Sequence, residues 1–82
     1  MALKTMAAMV DNQKDCLDII IDATGSLMVK ILTVHGQFIK TINKSLQGGT
    51  VSVSLSDLSS GDYVVNIFKD NSFLRSMRIC KN

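Results

Sequence analysis

The chain has 82 residues, of which 46% are hydrophobic and 20% charged, with nine Lys and Arg against seven Asp for a formal net charge of +2. That length holds one small domain and excludes a second, and the composition excludes a disordered chain. The basic residues are scattered along the chain instead of clustered, too weak and too dispersed a charge to advertise nucleic acid or an anionic membrane. Every acid is Asp, none is Glu, and Pro is absent. Asp favours turns over helix interiors, so the bias suits strands and loops.

Residues 1–10, MALKTMAAMV, open like a secretory signal. Their apolar core is short, however, and no small-residue cleavage site precedes the polar run 11–15, so a complete signal peptide is not expected. The stretch is also shorter than the roughly 20 residues of a membrane-spanning helix. Leu3, Met6 and Val10 would share one face of a short helix, and the segment equally suits an extra strand. The expected division is therefore an N-terminal segment over 1–15, flexible, helical or an added strand, and a β-sandwich domain over 16–82.

Residues 17–22 read as the first convincing strand, with Leu17, Ile19 and Ile21 on one face. Ala23, Thr24, Gly25 and Ser26 read as a turn. Residues 27–34 read as a second strand with Leu27, Val29 and Ile31 on one side and Met28, Lys30 and Leu32 on the other. His35 and Gly36 then suit a two-residue type I′ hairpin, and 37–43 return as a third strand. Residues 44–49, KSLQGG, read as a longer loop reversed at its paired glycines. They are not a phosphate loop, because no GK[ST] follows and no helix opens after them.

Residues 50–56 alternate Val51, Val53 and Leu55 with serines, the period of a strand with one wet face. A turn over 57–62 breaks the alternation, with Leu58 as an apolar foot and Gly61 as its hinge. Residues 63–68 resume as a fifth strand, Asp70 and Asn71 make a tight hairpin, and 72–80 form a sixth strand with Phe73, Met77 and Ile79 on one side. The expectation is an all-β, antiparallel, immunoglobulin-like β-sandwich of six to seven strands, the seventh drawn from the N-terminal segment.

No spacing points to catalysis. His35 reads as an exposed turn residue with no carboxylate or nucleophile placed beside it, and the nine serines fall on wet strand faces and in turns. Two Cys and one His cannot complete a four-ligand zinc site. Cys16 and Cys80 read either as small apolar residues flanking the first and last strands or as a disulfide closing a loop of about 64 residues. Neither a cofactor, a metal site nor a small-molecule substrate is indicated, and the absence of Trp with Tyr63 pointing inward leaves poor platforms for stacking carbohydrate.

The alternation does leave an apolar remainder. With Val29, Ile31, Ile39, Val65 and Ile67 facing the core, Ile20, Met28, Leu32, Phe38, Ile42, Val64 and Phe68 face outward, more than a wet sheet face carries. The expected cover is the N-terminal segment, a second copy or another protein, unless a one-residue slip has exchanged inside for outside in one strand. The candidate partner-binding residues are Met28, Leu32, Phe38, Ile42, Val64 and Phe68, and self-association or a protein partner is expected in preference to nucleic acid or membrane.

Residues 29–40, VKILTVHGQFIK, resemble the "VxIYDxxGxxV" hairpin of the C-terminal sorting domains of the type IX (Por) secretion system. Residues 53–67, VSLSDLSSGDYVVNI, resemble that family's "vdLSxLxsGxYxVxI" box, and residues 78–81, RICK, its terminal "KIVK". Together they span about 17–82. The resemblance implies a seven-stranded immunoglobulin-like sandwich without catalysis, appended to an exported cargo and read by export machinery. It marks Gly36, Leu55, Leu58, Gly61, Tyr63, Val65 and Lys81 as the motif's structural positions.

Overall fold

The computed structural model describes residues 6–82. They form five strands: β1 (Met6–Asp11), β2 (Cys16–Thr33), β3 (Phe38–Ser54), β4 (Gly61–Lys69) and β5 (Ser72–Lys81). All pairings are antiparallel, and they join into a single sheet centred on β2. The first half of β2 lies between β1 and the end of β3; its second half lies between the start of β3 and β4, with β5 beyond β4.

The expected six- to seven-stranded immunoglobulin-like sandwich is therefore overturned. The described residues form one five-stranded, mostly open half-barrel sheet. Two presumed reversals do not reverse the chain. Ala23 to Ser26 continue β2, and residues 44–49 continue β3, because Thr24, Gly25, Ser26 and Leu27 pair with Gln47, Leu46, Ser45 and Lys44. The register shifts between Ile21 and Thr24, opposite Gly48 with φ 77°. An irregularity of this kind bends a strand and sharpens its twist without ending it. Leu46, expected in a loop, is buried.

The bend folds the long β2–β3 hairpin over its own apolar side. Leu17, Ile19 and Ile21 from one half of β2 join Leu27, Val29 and Ile31 from the other in one core with Val53, Leu55, Val65 and Ile67. All ten side chains are essentially inaccessible to solvent, each contributing about 1.5–3 kcal/mol of transfer free energy on burial. β1 adds Met6, Ala8 and Val10 to the rim of that core. Met6–Asp11 is thus an edge strand on β2 and does not lie over the outward apolar face. Leu3, its expected helical companion, falls outside the described residues.

The hairpin tip also differs from expectation. The Gly36 amide donates to the Thr33 carbonyl at 2.9 Å, and the Thr33 amide donates to the Gln37 carbonyl at 2.8 Å. Only Gly36 in this loop has a positive φ, at 86°, so the connection is a three-residue turn with Gly36 in the left-handed position, not a two-residue type I′ turn. His35 is exposed there.

The opposite hairpin is tied to the bend. Asp70 and Asn71 both adopt positive φ, 49° and 68°. The Asp70 carboxylate accepts the Ser26 amide at 2.9 Å and the Ser26 hydroxyl at 3.2 Å, while its own amide donates to the Ser26 carbonyl at 3.0 Å. Lys69 pairs with it at 2.7 Å. The Lys69 hydrogen bond and then the Ser26 amide hold its carboxyl down at about 2.

Candidate functional site

The outer side of the β3–β2–β4–β5 half carries the candidate surface, and cross-strand pairing defines it row by row. Directly opposed residues share a face. At one end Phe38 opposes Leu32, Leu32 opposes Val64, and Val64 opposes Arg78. A polar row follows, with Thr41, Lys30, Asn66 and Ser76. In the third row Met28 opposes Phe68, which opposes Phe73. Two apolar bands therefore flank a polar strip.

Five of the six candidate residues meet on this face: Met28, Leu32, Phe38, Val64 and Phe68. Ile42 does not. It opposes Val29 and packs against the core. The cause is a register shift at the start of β3, where Leu32 pairs with Phe38 while Ile31 pairs with Lys40. The extra residue, Ile39, turns every later side chain of that segment to the other face. The same physics adds a residue that alternation had put with Met77 and Ile79. Ile67 pairs with Arg75 but Phe68 with Phe73, so skipping Leu74 brings Phe73 onto the outer face. Nothing in the sequence around Leu74 marks this slip.

Phe38 is 61% exposed and Phe73 58%, far above what packed aromatics show, while the apolar residues between them are half-buried. Phe68 and Phe73 meet edge to face with centroids 5.6 Å apart, and the Lys30 ammonium lies 5.3 Å from the Phe68 centroid. Both arrangements favour the aromatic quadrupole and fix the Phe68 ring. Arg78 reaches Asp62 at 3.6 Å at the margin.

Apart from Gly36 at the β2–β3 tip, the motif positions lie elsewhere, in and around the 55–63 loop. Leu55, Leu58, Tyr63 and Val65 are buried in the core. The Tyr63 hydroxyl donates to the Ser59 carbonyl at 2.6 Å, and Lys81, itself buried, donates its ammonium to the Leu58 carbonyl. Gly61 starts β4 at φ 146°. Nearby, Lys40 bonds Asp57 at 2.6 Å, and that hydrogen bond holds the Asp57 carboxyl below its usual range.

Among the described residues no group of three or more His, Cys, Asp or Glu is placed to hold a metal ion. Cys16 and Cys80 are both free thiols. Hydrogen bonding to Asp62, reinforced by desolvation, pushes the Cys80 thiol up, away from the thiolate that nucleophilic chemistry requires.

Residues 13–81 match the family model described as a secretion system C-terminal sorting domain. The chain belongs to this family. A search of the curated proteins finds no match. As a type IX secretion sorting domain the chain is a noncatalytic module that directs a protein to the cell surface or the extracellular space. Two contacts hold the loop between β3 and β4: the Lys81 ammonium donates to the Leu58 carbonyl and the Tyr63 hydroxyl to the Ser59 carbonyl.

Proposed function

We propose that the sorting domain is read through the outer face of its β3–β2–β4–β5 half, and that a protein of the export machinery covers Phe38, Leu32 and Val64 at one end and Met28, Phe68 and Phe73 at the other. The observation that carries this reading is the exposure of two Phe side chains, Phe38 and Phe73, at the two edges of one face. Aromatic anchors standing clear of a rigid sheet are the side chains on which binding energy concentrates. Lys30 and Arg78 on the same face favour a partner that brings carboxylates to the polar strip and the margin.

A photo-crosslinking residue placed at Phe38 or at Phe73, in the sorting domain fused behind an exported protein, tests this. Adducts to an export component are expected from both positions and not from Thr50, which is exposed on the other half of the sheet. Adducts from Thr50 alone, or equal adducts from all three sites, would refute it.

A further inference from the structure

An antiparallel sheet that is not closed has edges, and an edge strand presents unpaired amides and carbonyls to any other strand. Two edges here carry defences. On β3, Lys40 and Lys44 oppose Ile31 and Leu27, placing charges along the edge that penalise strand addition. On β5, the exposed Arg75 and Arg78 punctuate the strand, and its register is broken beside Phe68.

β1 has none of these. Met6 to Val10, MAAMV, contain no charge and no Pro, and all six β1–β2 pairs run in unbroken register. Among the described residues the other side of β1 hydrogen-bonds to no strand; it approaches the end of β5, where the Asn82 amide donates to the Asn12 side chain at 3.3 Å. Met6, Ala8 and Val10 rim the core on one face, while Ala7 and Met9, the latter 57% exposed, stand on the other.

We infer that β1 is the seam of a homodimer in which a second copy adds its own β1 antiparallel, about a two-fold axis through Ala8. A two-fold axis normal to the sheet keeps core side beside core side only when paired residue numbers sum to an even value. Centring on Ala8 pairs all five uncharged residues. Ala8 opposes Ala8 of the second copy, Met6 opposes Val10, and Ala7 opposes Met9, while Asp11 falls outside the pairing. Each half of the sheet then continues into its twin. Five pairs span only about 17 Å, less than a standard interface offers, so the dimer is transient and forms at high micromolar to millimolar concentration. The seam lies ahead of residues 13–81, the matched region, and on the half of the sheet away from Phe38 and Phe73, so it stands or falls apart from the reading face.

Sedimentation velocity on the full chain from about 10 μM to about 1 mM tests it. The expected result is a mass rising toward twice the monomer, abolished by the double substitution Ala7→Lys with Met9→Lys, which sets Lys against Lys across the seam at exposed positions. Phe38→Asp should leave the dimer intact. With Cys16→Ser and Cys80→Ser, Ala8→Cys should oxidise to a covalent dimer and Ala7→Cys should not. A monomer throughout the range, a dimer that survives the two lysines, a dimer lost with Phe38→Asp, or cross-linking through position 7 instead of 8 would each overturn the proposal.

Discussion

Replacing Gly25 by Ala perturbs the bend on which the sheet depends. Gly25 sits in β2 at φ 127°, and a Cβ added there would fall 2.7 Å and 2.9 Å from the two carboxylate oxygens of Asp70 and 3.1 Å from its Cγ. The backbone conformation alone costs an L-residue about 1–3 kcal/mol. The collision adds to this by displacing the carboxylate that accepts the Ser26 amide and hydroxyl. For a domain of this size total stability is about 4–12 kcal/mol. A loss of about 2 kcal/mol lowers the melting temperature by roughly 8–16 °C. Urea unfolding followed by circular dichroism measures the loss, and the double substitution Gly25→Ala with Asp70→Ala identifies its source. If the clash contributes, the double variant loses less than the sum of the singles, a coupling that neighbouring groups show and independent ones do not. A Gly25→Ala cost under about 0.5 kcal/mol, or strict additivity with Asp70→Ala, would refute the argument.

The same carboxylate predicts an acid response. Its pKa is about 2 in the folded protein against an ordinary 3.8, so its contribution to stability is complete above about pH 4 and is lost as pH falls toward 2. Asp70→Asn should therefore flatten the decline of the urea midpoint between pH 4 and pH 2 relative to the parent. An equally steep decline would contradict it. Leu46→Ala should cost about 2–5 kcal/mol, as for a core leucine, because Leu46 is 3% exposed; a surface-like cost would show that residues 44–49 are a loop after all. Tyr63→Phe should cost about 1 kcal/mol through the lost bond to the Ser59 carbonyl, and Lys81→Ala about 1–3 kcal/mol because it strands the Leu58 carbonyl, both read from denaturant midpoints.

Much of the core was legible in the alternation. Leu17, Ile19, Ile21, Leu27, Val29, Ile31, Val53, Leu55, Val65 and Ile67 all face inward as their spacing required, because a period of two holds wherever the ladder is regular. The errors sit at its irregularities. An extra residue near Ile39 turned Ile42 inward, and another near Leu74 turned Phe73 outward; neither carries a sequence mark distinguishing it from its neighbours. The glycines of the β2 and β3 bends looked like chain reversals, since a residue with positive φ serves a turn and a strand bend alike. That ambiguity made six or seven strands out of five and a sandwich out of a bent sheet. The motif residues Gly36, Leu55, Leu58, Gly61, Tyr63, Val65 and Lys81 pointed to the family without requiring the strand count to be right.

The most direct measurement is the export of a reporter carrying this domain at its C-terminus in a bacterium with the type IX system, comparing the parent with the Phe38→Asp, Phe73→Asp double variant. Both rings are largely exposed, so the purified variant should melt within a few degrees of the parent. Cell fractionation is expected to find the parent reporter at the surface or in the medium and the variant retained inside. Undiminished export of the folded variant would contradict the assignment of that face as the one the machinery reads.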